Sequence, residues 1–364
     1  MHPQDPALQR LVDQVRSACD QKTALEIRGG GTKHFYGGVP RGELLDMTPL
    51  TGVTSYEASE LVVTARAGTP LAALEAELAD QSQCLPFEPP RFGPGSTVGG
   101  MVAAGLSGPA RANVGAVRDY VLGATVLNGR GEVLTFGGQV MKNVAGYDVS
   151  RLMAGSLGVL GVICEVSLKV LPLAPASATL VFEMEEERAL QQLNGWAGQP
   201  LPLNASAWHK GRLSLRLAGA RAAVGAAVQR LGGAELAPTE ADVWWASVRD
   251  QQHAFFAVGE QALARGECLW RLSVSDTAPP LGLAGDGFVE WGGALRWCRT
   301  TLPAQQVRET AARAGGHATL FRAADKSAGT FAPLTEPLAR IQRALKQAFD
   351  PAGVFNPGRL YPDL

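Results

Sequence analysis

The chain has 364 residues, 46% of them apolar and only 18% charged, with 33 Lys and Arg against 34 Asp and Glu for a net charge of −1. That length predicts two domains, or one large domain with an insertion, and that composition excludes intrinsic disorder. No overall charge draws the chain to nucleic acid or to an anionic membrane.

The opening MHPQDPALQR has neither a basic nor an apolar signal region, so a cytoplasmic location is expected. Asp5 and Pro6 predict a helix start, and Leu8, Leu11, Val12, Val15 and Ala18 then recur on one helical face. Residues 24–27 form a short strand that feeds into Arg28-Gly29-Gly30-Gly31-Thr32. A second strand follows at 61–65, and Thr69-Pro70 caps a helix carrying Leu71, Leu74 and Leu78. Residues 121–127 and 132–136 flank the turn Asn128-Gly129-Arg130-Gly131, a hairpin. The stretch 159–170 is strand-rich, and 171–178 looks like a boundary.

Beyond it, strands are expected at 213–217, 268–274, 288–299 and 317–321, with helices at 221–231 and 303–314. This β-α-β-β-α-β order is ferredoxin-like, with a helix over 240–256 inserted. Leu338, Ile341 and Leu345 then fall at helical spacing before a break at Asp350-Pro351. The uncharged stretch 92–110 holds six glycines and two prolines, so it is no membrane-spanning helix. The cysteines at 19, 84, 164, 268 and 298 form no C-x-x-C, and the five histidines form no H-x-H or H-E-x-x-H. Sequence-local clusters and metal sites are therefore not expected.

Three glycine-rich segments carry the chemistry. In Arg28–Thr32, successive glycines allow positive φ, so consecutive backbone N–H groups can converge on one anion such as a diphosphate. Neither standard alternative applies, because His34 stands where a Rossmann fingerprint needs glycine and no Gly-Lys pair exists for a P-loop. The second segment, Gly95 to Gly108, supplies small residues and the hydroxyls of Ser96 and Thr97. The third, Gly155 to Ile163, is a glycine-punctuated turn into a strand. Each alone is equally well a tightly packed glycine loop.

Their order and spacing resemble the vanillyl-alcohol-oxidase/p-cresol-methylhydroxylase flavoprotein family, with R-G-G-G-T, T-V-G-G and G-S-L-G-V-L-G segments. The close, Phe349-Asp350-Pro351 to Asn356-Pro357-Gly358, also matches that family's pattern. The segments 118–123 (RDYVLG) and 140–153 (VMKNVAGYDVSRLM) are similar to the smaller, E-type FAD-binding subunits of bacterial glycolate oxidases. The resemblance is dense over 24–172, returns over 340–362 and is faint between.

The resemblance implies an α+β chain: a two-subdomain FAD-binding domain of p-cresol-methylhydroxylase type over 1–173, a ferredoxin-like cap over 174–335, and a tail over 336–364 returning to the first. It implies that Arg28, Gly29, Gly30, Gly31 and Thr32 hold the FAD diphosphate. Ser96, Thr97, Gly99 and Gly100 would contact the ribityl and diphosphate region, Gly161 and Val162 the adenine side, and Asn356 and Gly358 the ring system. Thr32 stands where covalent relatives often carry histidine, so non-covalent FAD is expected.

It further implies oxidation of a small 2-hydroxy acid, glycolate above all, within a complex holding a second FAD-binding subunit and an iron–sulfur subunit. Attachment to the inner membrane would come through those partners. A self-sufficient FAD oxidase of another alcohol, and a non-catalytic FAD-binding relay or scaffold, are the competing readings. No catalytic residue is evident. Tyr147 and Lys142, with Arg151, are weak candidates for proton transfer and carboxylate binding, and they equally suit packing and surface roles. The family's paired histidines have no counterpart here, since His209, His253 and His317 lie far apart in sequence. Trp244, Trp245, Trp291 and Trp297 suit either a core or a docking surface.

Overall fold

The computed structural model describes residues 5–138 and 147–364. The first helix runs Pro6–Gln21, and the Asp5 carboxylate accepts the N–H groups of Ala7 at 2.9 Å and Leu8 at 3.4 Å. This is the capping that the Asp-Pro pair predicts. Its apolar face, Leu8 to Ala18, is buried. Strands β1 (Leu25–Arg28) and β2 (Glu43–Asp46) then pair in parallel. The far C-terminus joins them, because Leu25 N–H donates to Val354 O at 2.7 Å and Asn356 N–H donates to Leu25 O at 3.0 Å.

Seven further pieces follow: β3 (Val53–Glu57), β4 (Val62–Arg66), β5 (Gln83–Cys84), β6 (Val121–Leu127), β7 (Val133–Gly137), β8 (Val162–Lys169) and β9 (Leu171–Pro172). Five of them make an antiparallel sheet in the order β3-β4-β8-β6-β7, while β5 and β9 pair separately. Every residue of β6 is buried, which is why it reads as an unbroken apolar run. The β6–β7 turn is held by Asn128, whose side-chain oxygen accepts from Arg130 and Glu132 N–H at 2.9 and 3.0 Å. The helix Leu71–Asp80 packs through Leu71, Leu74 and Leu78. Thr69 does not cap it; its hydroxyl bonds Gly52 instead.

The remaining strands are β10 (Ala176–Glu183), β11 (Leu203–His209), β12 (Arg212–Gly219), β13 (Ala234–Glu235), β14 (Cys268–Ser273), β15 (Asp286–Glu290), β16 (Leu295–Thr300) and β17 (His317–Arg322). They form one sheet in the order β13-β10-β12-β11-β15-β16-β14-β17. It divides into two ferredoxin-like halves. In β10–β13, helices Glu186–Ala197 and Arg221–Leu231 make the two crossovers. In β14–β17 the same strand order recurs with one crossover helix, Ala304–Arg313, and a loop in place of the other. The halves join where β11 pairs with β15.

The single βαββαβ unit expected over 213–321 therefore straddles the two. It arose because 171–178 looks like a linker although β10 already begins at Ala176, and because β11 (LNASAWH) has no β-branched residue to announce it. The helix expected over 240–256 spans Pro238–Arg249, with a separate 3₁₀ turn at Ala254–Phe256.

The two sheets meet through one shared core, in which Tyr36, Ala104, Leu106 and Leu157 pack with Phe255, Phe288, Trp297 and Phe321. Helix Glu336–Phe349 then leads the chain back. Leu345 and Phe349 pack on the first core, while Leu338 and Ile341 stay half exposed. Buried Lys346 pins the return, donating to Asp350 at 2.7 Å, Val159 O at 2.9 Å and Phe355 O at 2.7 Å.

Candidate cofactor site

The site starts where β1 ends. Among the described residues, the N–H groups of Gly29, Gly30, Gly31, Thr32 and Lys33 donate to no protein acceptor. Five consecutive free donors at a strand end form an anion-binding concavity. Of the three glycines, Gly31 takes positive φ (71°). The other two are needed for space, not for backbone freedom. A Cβ on Gly30 would stand 1.5 Å from Gly95 O, and one on Gly29 would stand 2.3 Å from Thr97 Oγ1. The segment 95–97 thus lies directly against the loop.

Together these segments wall a cleft of about 830 Å³ counting its open mouth. The structure brings Arg28, Gly29, Gly30, Gly31, Thr32, Thr97, Gly99, Gly100, Gly161 and Asn356 onto its lining. Ser96 stands behind the lining, buried, with its hydroxyl accepting from Lys33 Nζ at 2.8 Å. Val162 begins β8 inside the core, and Gly358 borders a different depression beside residues 324–334. Asn356 ties three segments together: Oδ1 accepts Ile27 N–H at 2.8 Å and Nδ2 donates to Leu157 O at 2.7 Å.

Three lining side chains were not evident from the sequence. Lys33 presents a half-buried ammonium to the cleft with no carboxylate within ion-pair distance among the described residues. Burial pulls its pKa down to about 8, against a weak opposing pull from Asp250. Glu26 has a buried carboxylate oxygen without a hydrogen bond, 3.6 Å from Arg28 and 3.5 Å from His34. Arg359 binds the outside of the loop, donating to the carbonyls of His34 at 3.3 Å, Tyr36 at 2.5 Å and Gly38. Burial lowers its pKa to about 10. None of the three sits in a motif: Glu26 and Lys33 flank the loop in the chain, and the fold brings Arg359 to it. Free N–H donors, an uncompensated ammonium and an unbonded carboxylate oxygen suit a group with a diphosphate and sugar hydroxyls.

The weak catalytic candidates lie elsewhere. Tyr147 is 96% exposed, Arg151 pairs with Asp148 at 3.1 Å on the surface, and Lys142 lies outside the described residues. The histidines need a correction. His209 and His253, far apart in sequence, meet ring to ring at 5.3 Å, and His209 Nε2 lies 3.2 Å from Asp286. Burial lowers both pKa values. They line neither the cofactor cleft nor the cleft under the cap sheet, and no group of three or more metal-ligating side chains occurs among the described residues. The tryptophans take the core reading: Trp245, Trp291 and Trp297 are buried, and partly buried Trp244 packs against them.

Loop, cleft and paired sheets define a FAD-binding protein of the p-cresol-methylhydroxylase type. Residues 7–137 match the family model described as FAD binding domain, and FAD is the cofactor of this chain. A solved alkyldihydroxyacetonephosphate synthase shares the fold with a TM-score of 0.64 and 16% identity, over 96% of this chain and 74% of that one.

The chain belongs to the family of the glycolate oxidase subunit GlcE, being 46% identical to the Escherichia coli K12 protein over 98% of both chains. It is also 33% identical to a D-lactate dehydrogenase of Anaerostipes hadrus over 43% of this chain and 32% of that protein. It is 29% identical to the glycolate oxidase subunit GlcD of Bacillus subtilis over 50% of this chain and 39% of that one.

Proposed function

We propose that this chain is the FAD-carrying subunit of a complex that oxidises a small 2-hydroxy acid, glycolate first, and passes electrons to an iron–sulfur partner subunit beside a second FAD-binding subunit. The observation that carries the reading is the run of five N–H donors at 29–33 without a protein acceptor among the described residues, with the half-buried Lys33 ammonium beside it. The resemblance to GlcE over 98% of the chain supplies the substrate class and the complex.

In this reading Arg28 to Lys33 bind the diphosphate, Thr97, Gly99 and Gly100 line its path, and Glu26 accepts from a sugar hydroxyl. Gly161 lets the adenine side close, since a Cβ there would meet Val126 at 2.8 Å. Asn356 holds β1 to the 157–158 turn, so the tail positions the cleft rather than the ring directly. When bound, the flavin supplies the hydride acceptor and the route to the partner's cluster. Thr32 offers no nitrogen for a covalent bond, so FAD is held non-covalently.

We assign residues 1–173 to the FAD-binding domain, 174–335 to the cap and 336–364 to the returning tail, supported by the change of sheet between β9 and β10. No helix among the described residues is long and apolar enough to cross a membrane; a cytoplasmic complex, attached to the inner membrane through its partners, fits that. The test is dye reduction with glycolate by the FAD-loaded chain alone and with its partner subunits. Full activity is expected with the partners. Equal turnover by the lone chain would favour a self-sufficient oxidase, and full activity of the partners without this chain would end the proposal.

A further inference from the structure

The inner face of the cap sheet carries a second polar constellation. Arg271, on β14, sits between Trp297 of β16 and Thr319 of β17, its directly paired neighbours, and paired residues share a sheet face. Its guanidinium stacks 5.0 Å from the Trp291 ring and 6.0 Å from Trp297. It donates no hydrogen bond and joins no ion pair among the described residues. The guanidinium is half-buried, its charge is offset only by the field of Glu290 and Tyr36, and its five N–H donors meet no protein acceptor among the described residues, which suits it to an incoming anion.

The guanidinium opens on a cleft of about 320 Å³ counting its mouth, whose far wall is Ser107 and Gly108, on the segment that follows the cofactor-lining helix Val98–Ala104. Glu290 lines the same cleft, one carboxyl oxygen accepting Trp297 Nε1–H at 2.7 Å. Burial pushes its pKa up to about 7, so it repels an anion less than an ordinary carboxylate does. Arg249 also borders the cleft but is neutralised by Asp250 at 2.7 Å, whereas Arg111 lies 4.4 Å from the Trp291 ring and adds positive field.

We propose that Arg271 and Glu290 form a binding site for a small 2-hydroxycarboxylate, the guanidinium taking its carboxylate and the Glu290 carboxyl its hydroxyl. The requirement for a carboxylate comes from Arg271 itself; the choice of a hydroxy acid rests on the function proposed above. A guanidinium pairs with a carboxylate through two parallel hydrogen bonds, and a carboxyl of near-neutral pKa can accept from or donate to a neighbouring hydroxyl.

The test titrates glycolate and acetate into the FAD-loaded full chain, following tryptophan fluorescence and the flavin absorption band. Both acids should give saturable changes, with glycolate bound more tightly. Arg271→Met should weaken glycolate roughly 10- to 150-fold, the range for losing a charge-assisted hydrogen-bond pair, with FAD affinity held within about threefold. Arg271→Lys should recover part of that loss. Glu290→Met, which can neither accept from nor donate to the hydroxyl, should keep acetate binding and lose most of the preference for glycolate. A wild-type chain with FAD bound that gives no saturable response, or an Arg271→Met chain with unchanged glycolate affinity, would overturn the site. If the chain holds no FAD, the proposed function fails, and tryptophan fluorescence of the unloaded chain still decides the carboxylate site by the same criteria.

Discussion

The loop after β1 and the inner face of the cap sheet are the two places proposed to receive negative charge, and they would do so by opposite means. The loop uses the backbone: five consecutive N–H groups over residues 29–33 that meet no protein acceptor among the described residues. The cap uses side chains from separate strands, Arg271 and Glu290, with Trp297 holding the latter. A backbone site is written contiguously and depends on glycine. A side-chain site depends on strand register, and moving β14 by one residue would turn Arg271 to the other face. The loop is therefore sensitive to added bulk and the cap to lost charge.

The largest effect should come from Gly30→Val. A Cβ there would stand 1.5 Å from Gly95 O, so the loop and the 95–97 segment must separate. FAD affinity, read by quenching of flavin fluorescence, should fall at least ~100-fold, in line with the tight packing of backbone at such sites. Unchanged affinity would remove the loop from the site.

Asn356→Ala should come next. It leaves Ile27 N–H and Leu157 O without partners in a buried setting, at a cost of about 1–3 kcal/mol for an unsatisfied group. Urea unfolding should show that loss with little change in cap-ligand affinity, since Asn356 lies away from the cap cleft.

The smallest effect belongs to Lys33→Met, about tenfold in FAD affinity for one charge-assisted contact. Its sign with pH is set by a pKa lowered to about 8. Below that pH the ammonium is charged and FAD binds best; affinity should decline as pH rises through 8, and Lys33→Met should flatten that decline. Titration of affinity against pH in both chains checks it.

The same contrast explains what was legible in the sequence. Helix Pro6–Gln21, the β6–β7 hairpin and the R-G-G-G-T loop all announce themselves through neighbours in the chain: a cap, a turn, a glycine run. The doubling of the ferredoxin-like unit did not, because it lies in strand order rather than local pattern, and β11 has the composition of a loop. Lys33 adjoins the loop motif yet reads as an ordinary surface cation; its significance comes from burial against Ser96. The His209–His253 contact and the Arg271–Glu290 cleft join residues that only register and tertiary packing bring together. At Gly30 it is close approach to Gly95, not the positive φ expected of a glycine run, that excludes a side chain.

The central claim is that the 29–33 loop holds FAD through its diphosphate and without a covalent bond. Calorimetric titration of the FAD-free chain with FAD, ADP and riboflavin tests it most directly. FAD should bind most tightly, ADP should bind measurably and compete with FAD, and riboflavin, which lacks phosphate, should bind weakest. Riboflavin binding as tightly as FAD, with no competition from ADP, would contradict it.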